Sequence, residues 1–141
     1  MLVRLMYASR AGAGVDSEEL HAILRHAKTA NPRNGITGAL CFADGIFIQV
    51  LEGGRDAVSA LYGRIVRDDR HRDATLLHFE EVTERRFAGW TMGHVNLAKV
   101  NPSILLKYSD RPVLDPYCVS GQVSLALLEE LIATASIIGR P

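Results

Sequence analysis

The apolar positions change period along the chain, and each change marks an element. From Leu2 to Tyr7 they alternate, with Val3, Leu5 and Tyr7 on one face and Arg4 and Met6 on the other, which predicts a strand. From Leu20 the spacing opens to three and four, through Ile23, Leu24, Ala27 and Ala30, the stripe of an amphipathic helix. Asp16 followed by Glu19 supplies an N-terminal capping pair for that helix, and Val15 and Leu20 are placed as a hydrophobic staple. Pro32 predicts an end near Asn31, because proline disfavours helical geometry in the residue before it. Alternation then returns over 36–43 and 46–53 on either side of Asp44-Gly45, a two-residue link suited to a type I′ turn, so the spacing predicts a β-hairpin.

Val58, Leu61 and Ile65 lie on one stripe and predict a second helix from Arg55 to Arg67, ending in the charged run Arg67-Asp68-Asp69-Arg70-His71. Thr75 to Val82 and Gly89 to Val95 read as two more strands. The β-α-β-β-α-β order with one further strand predicts an α+β fold with a ferredoxin-like sheet and both helices on one face. After Leu97 the pattern changes: Asn101 can cap a short helix with Pro102 at its first position, and Ser109 to Pro116 reads as a loop. A last helix from Ser120 to Ile138 carries Val123, Leu125, Leu127, Leu128, Leu131, Ile132, Ala135 and Ile138, with Gly139 suited to end it. The expected division is a sheet domain over 1–95 and a C-terminal helical extension over 96–141. The apolar face of the last helix is wider than one stripe, so the helix-free face of the sheet is its expected cover on one side and a second copy of the chain the candidate for the other.

Composition narrows the class. Sixteen Lys and Arg balance sixteen Asp and Glu, so no overall field draws the chain to nucleic acid or an anionic membrane. The apolar runs are too short for a membrane span, and Arg4 interrupts the N-terminal one, which reads as a soluble, cytoplasmic protein. Cys41 and Cys118 lack metal or disulfide spacing and are expected to be small buried hydrophobes.

Few residues suggest chemistry by spacing. Gly12-Ala13-Gly14 follows the first strand as a phosphate loop would, but Ser17 stands where the third glycine is needed. His71 reads as a helix-end or surface histidine and His78 as a strand histidine rather than metal ligands. Gln49 is more telling, because Phe47 and Leu51 share its face while Ile46, Ile48 and Val50 fill the other. A primary amide on a strand apolar on both faces must find partners, and rotating it exchanges donor for acceptor. Tyr7, Trp90 and Met92 read by pattern as core residues on the first and last strands.

Tyr7-Ala8-Ser9, Asn31, the segment Ile36-Thr37-Gly38-Ala39-Leu40, Gln49-Val50-Leu51-Glu52-Gly53, the run 67–71, and Arg86-Phe87-Ala88-Gly89-Trp90-Thr91-Met92 together resemble the BLUF family of blue-light sensors using flavin. The resemblance runs in order over residues 1 to about 95 and is to the short members with a small helical tail and no attached enzyme. It implies FAD, or FMN in its place, held between the two helices. Asn31 would bond the isoalloxazine edge, and Arg64, Asp68, Arg70 and His71 would lie around the far side of the ring and the ribityl chain. Tyr7 and Gln49 match the photoactive pair, and Trp90 and Met92 match positions of variable placement. Ala30 stands where some members carry a polar or ring-bearing residue before the Asn, so that contact is missing. The resemblance further implies electron and proton transfer from Tyr7, rearrangement of Gln49, and a signal passed through the sheet or C-terminal helices to a downstream protein, without turnover chemistry. Two other readings are a ferredoxin-like acylphosphatase-type hydrolase, using Arg10 with Asn31 or Asn34, and a flavin-free interaction module docking through the last helix.

Overall fold

In the computed structural model, which describes residues 1–12, 14–96, 100–113 and 115–133, alternating apolar residues place β1 (Leu2–Ala11) at the heart of a sheet. It pairs antiparallel with β3 (Ile46–Gly54) on one side and β4 (His71–Val82) on the other. β2 (Thr37–Ala43) joins β3 through Asp44 and Gly45, whose φ of 53° and 76° are those of the expected type I′ turn. The short β5 (Gly93–Asn96) lies parallel to β2, giving the order β4-β1-β3-β2-β5. Gly38 lets β2 press on β3: its φ is 154°, and a Cβ there would sit 1.9 Å from the Val50 carbonyl oxygen. Gly38→Ala is expected to cost about 1–3 kcal/mol in urea unfolding, the range for overpacking; a loss below about 0.5 kcal/mol, that of an ordinary surface change, would refute the close approach.

α1 (Ser17–Arg33) and α2 (Arg55–Arg67) cover one face. Leu24, Ala27 and Val58 pack there on Val3, Leu5, Tyr7, Phe47 and Leu51. The Asp16 side chain caps α1 by accepting from the Glu19 N–H at 2.9 Å. The other face is covered from the C-terminal side, as the breadth of the last helix anticipates. Leu105 of α3 (Pro102–Leu106) and Leu125, Leu127, Leu128 and Leu131 of α4 (Gly121–Ala133) pack on Met6, Ala39, Cys41, Ile48 and Val50. α4 begins against β4, where a Cβ on Gly121 would lie 2.0 Å from the Leu77 carbonyl oxygen. A buried ion pair also lies on this side: Arg4 Nε donates to Glu52 Oε2 at 2.7 Å, with side chains 3% and 0% exposed, and its guanidinium also pairs with Glu80.

Several boundaries differ from expectation. β1 runs on to Ala11 and so gives β4 ladder partners from His71 rather than Thr75. α1 passes through Pro32 to Arg33, because the Asn31 and Pro32 carbonyls accept the N–H groups of Asn34, Gly35 and Ile36 and close the end beyond the proline. The segment before Gly93 turns rather than extends, with Trp90 N–H donating to the Phe87 carbonyl at 3.0 Å, so Trp90 and Met92 precede β5. Cys41 is buried as expected, its thiol pushed up to about 12 by desolvation. Cys118 is exposed, held in a surface turn where Asp115 accepts from both its N–H and its thiol. Ala13, Leu97 and the predicted continuation through Ala135, Ile138 and Gly139 lie outside the described residues.

Candidate functional site

Between α1, α2 and the sheet lies a cavity of about 200 Å³. Its walls are the inner stripes of the two helices, Ile23 and Ala27 from α1, Leu61 and Ile65 from α2, with Leu40 from β2. Its polar lining is Tyr7, Asn31, Gln49, Arg64, Asp68, Arg70 and His71, all seven residues expected to hold flavin, together with His26. Two facing apolar slopes with polar groups at the edges suit a flat heteroaromatic ring, and the space is smaller than the usual range for a whole ligand of dinucleotide size.

Strand register brings the central pair together. Tyr7 and Gln49 are direct partners across the β1–β3 ladder, and the Tyr7 hydroxyl donates to Gln49 Oε1 at 2.5 Å. The other end of the amide is engaged too: Gln49 Nε2 donates to Met92 Sδ at 3.3 Å. Burial drives the Tyr7 phenol far above its ordinary pKa, with Tyr62 and Asp68 adding to the shift, so Tyr7 keeps its proton. Trp90 lies instead in the cluster on the α4 side of the sheet, while Met92 joins the α1/α2 side, so the two take opposite faces.

Asn31 is 4% exposed, yet its side-chain amide has no hydrogen-bond partner among the described residues. The amide lines the cavity, so it fits a site completed by a ligand with its own donors and acceptors. Across the cavity the Asp68 carboxylate takes a fork from Arg70, Nη2 at 2.6 Å and Nε at 3.1 Å, which holds it below the usual carboxylate range. Gly12 permits this corner: a Cβ would sit 2.3 Å from the Asp69 carbonyl oxygen, and its N–H donates to the Arg70 carbonyl at 2.9 Å. Gly12 therefore serves close backbone packing, while Gly14, at φ 85° with open space around it, serves the turn. Arg64 is exposed and unpaired among the described residues.

His71 Nδ1 lies 2.7 Å from Ser9 Oγ, and burial pushes its pKa down from 6.5. It belongs to the cavity wall, not to the surface or a helix end as its neighbours in sequence suggest. Since the unfolded chain binds the His71 proton more readily, stability from this group is whole above 6.5 and falls as pH drops below that value. His71→Gln is expected to flatten that part of the melting temperature against pH; an unchanged slope would overturn the assignment.

Sequence reasoning quoted Ser9 only within the family motif, without its contact to His71, and missed Tyr62, whose ring centroid is 5.4 Å from that of Tyr7. It also read the helix stripes as core without seeing that they enclose a space. The hydrolase reading fails on geometry. Arg10 is spent on Asp73 at 3.5 Å and on the Tyr117 ring at 4.3 Å, and Asn34 is exposed and bonded to the Ala30 carbonyl, so neither lines the cavity with Asn31. Among the described residues no group of His, Cys, Asp or Glu could hold a metal, and no helix is long and apolar enough to cross a membrane.

The profile of the BLUF family, sensors of blue-light using FAD, matches residues 2–93. The chain belongs to the BLUF family. Photoactivated adenylate cyclase subunit beta of Euglena gracilis is 41% identical over 92 residues, 64% of this chain and 11% of that protein. The chain thus spans about a tenth of the curated relatives it matches. Among solved structures, BlsA in its photo-activated state superposes with a TM-score of 0.83 at 31% identity, over 94% of this chain and 95% of that one. BlrP1 of Klebsiella pneumoniae with FMN and cyclic diGMP gives 0.68 at 35% identity, over 73% and 28%. BLUF membership makes this chain a blue-light flavin sensor, which sets aside the flavin-free reading. The cavity suits the cofactor: apolar slopes for the ring faces, an unmet amide at Asn31 for its edge, and a charged corner at Asp68 and Arg70.

Proposed function

We propose that this chain is a BLUF photoreceptor in which Tyr7 and Gln49 are the photoactive pair and Asn31, Arg64, Asp68, Arg70 and His71 hold FAD, or FMN in its place. The observation that carries the reading is the hydrogen-bonded run from the Tyr7 hydroxyl through the Gln49 amide to Met92, set against the cavity. Bound flavin supplies the blue-light absorption and, once excited, a strong electron acceptor.

Tyr7 then gives up an electron and its proton. The two leave together, because a phenol this deeply buried is too costly to ionise alone. Gln49 Oε1 accepts the phenolic hydrogen bond among the described residues and is the way out for the proton. When electron and proton return, Tyr7 is restored, and what has changed is the amide. Gln49 Nε2 donates to the Met92 thioether, an acceptor with no hydrogen to give, and this is taken as the resting arrangement. Rotation turns the amide oxygen toward that sulfur, where it finds no donor, and leaves the Gln49 N–H as a donor that bound flavin could accept from. Such a bond would draw electron density from bound flavin and shift its absorption to the red. Met92 therefore biases the resting orientation, and the rotated state is metastable.

On the same grounds the chain divides into the flavin domain over 1–95 and the helical extension over 96–141. It is cytoplasmic, without turnover of its own, and signals through the sheet or C-terminal helices to a downstream protein, with a second copy as the other candidate partner. The test is the visible spectrum of purified protein in the dark, after blue light, and during recovery. A reversible red shift without bleaching is expected, and flavin bands that stay in place overturn the photocycle. Tyr7→Phe is expected to retain flavin and lose the shift; a shift of normal size would remove Tyr7 as donor.

A further inference from the structure

The face of the sheet turned away from the cavity holds a second set of contacts that leads back to Gln49, and their bearing on signalling rests on Tyr7 and Gln49 being the photoactive pair. Glu52 lies three residues beyond Gln49 on β3 and is fully buried. Its carboxylate accepts from Arg4 Nε at 2.7 Å, from the Arg86 N–H at 3.0 Å and from the Phe87 N–H at 2.6 Å. Two successive peptide groups of an irregular segment are thus fixed to one buried charge, and charge-assisted bonds of this kind are the strong ones.

Beyond that anchor the segment is tied at each step. The Phe87 carbonyl accepts from Trp90 N–H at 3.0 Å, the Trp90 carbonyl accepts from Gly38 N–H of β2 at 3.0 Å, and Met92 Sδ accepts from Gln49 at 3.3 Å. Outward from the same anchor, the Arg86 guanidinium pairs with Glu129 on α4. The stretch has a buried end on the photoactive amide, a fixed point at Glu52 and an outer end on the helix that covers the sheet.

We propose that Glu52 is a positioning residue for Met92, and that residues 86–92 form a lever which pivots on the Glu52 carboxylate and reaches α4 through the Arg86–Glu129 pair. When the amide rotates, Met92 loses its donor and the lever loses its inner hold. With the backbone of Arg86 and Phe87 held at Glu52, the change reaches α4 through the Arg86 side chain. The pair on α4 favours the dark placement, so removing it weakens the pull that returns the segment.

The test uses the full flavin-loaded chain. Arg86→Ala and Glu129→Ala are each expected to slow dark recovery about two- to fivefold, the range of a half-exposed ion pair. The double variant should be no slower than either single one, and the exchanged pair R86E/E129R should restore the rate. Slowing factors that multiply, or no slowing at all, overturn the link to α4. For the pivot, Trp90 is the only tryptophan and is 7% exposed, so its emission in the dark reports where the segment sits. Glu52→Gln should move that emission to longer wavelength with flavin still bound, and an unmoved emission overturns the pivot. If Glu52→Gln does not fold, the Arg86 and Glu129 cycle decides. If the unaltered protein shows no red shift, the proposed photocycle has failed, while Trp90 emission still decides the pivot.

Discussion

Gln49→Leu is expected to bind flavin, fold, and show no displacement of the flavin bands under blue light. Leucine nearly fills the volume of the amide while removing both its donor and its acceptor, so the Tyr7 hydroxyl and the Met92 sulfur each lose their partner. The loss of the light signal should be complete, because no other described side chain stands between Tyr7 and Met92 with both hydrogen-bond signs to exchange. A buried phenol left unpaired adds a stability cost of about 1–3 kcal/mol. A light-minus-dark spectrum checks the first expectation and thermal unfolding the second. A normal red shift in Gln49→Leu would end the assignment of that residue.

The largest effect on stability is expected at Arg4. Arg4→Met keeps the aliphatic stem but leaves the Glu52 carboxylate, at 0% exposure, facing the Arg86 and Phe87 N–H groups without its cation. Removing one partner of a buried pair costs about 3–5 kcal/mol, which for a chain of this size lowers the melting temperature by about 10–20 °C. The comparison is made by denaturant unfolding and calorimetry at neutral pH. A loss under about 1 kcal/mol, within the range of exposed ion pairs, would mean that the carboxylate does not depend on Arg4 for its charge.

Much of this architecture is written locally. The hairpin follows from Asp44-Gly45 between two alternating runs, α2 from a stripe that ends where the charges begin, and α3 from Asn101 and Pro102. The faces of β3 follow from alternation, and they put Gln49 on the cavity side and Glu52 on the other. What is not local was not legible. The extra length of β1 and β4 comes from each offering the other a ladder, and the passage of α1 through Pro32 depends on bonds made after the helix, not within it. A buried ion pair 48 residues apart in sequence leaves no periodic trace. Ser9 and His71 stand in two separate segments of the sequence, and they become one contact only when two strand ends meet. The cavity itself was inferred from family resemblance, since a stripe that lines a space and a stripe that fills one look alike in sequence.

The register of Tyr7 opposite Gln49 has a consequence for how such a sensor can be reused. Their separation is set by the spacing between neighbouring strands, inside a ladder whose partners run from Leu2↔Gly54 to Arg10↔Ile46. The helices that follow residue 96 reach this ladder from its other face, through Met6, Ile48 and Val50. The proposed donor and amide therefore carry their separation in the strand pairing itself. A ruler of that kind travels with the sequence, and a similar 92-residue stretch makes up 11% of a Euglena cyclase subunit.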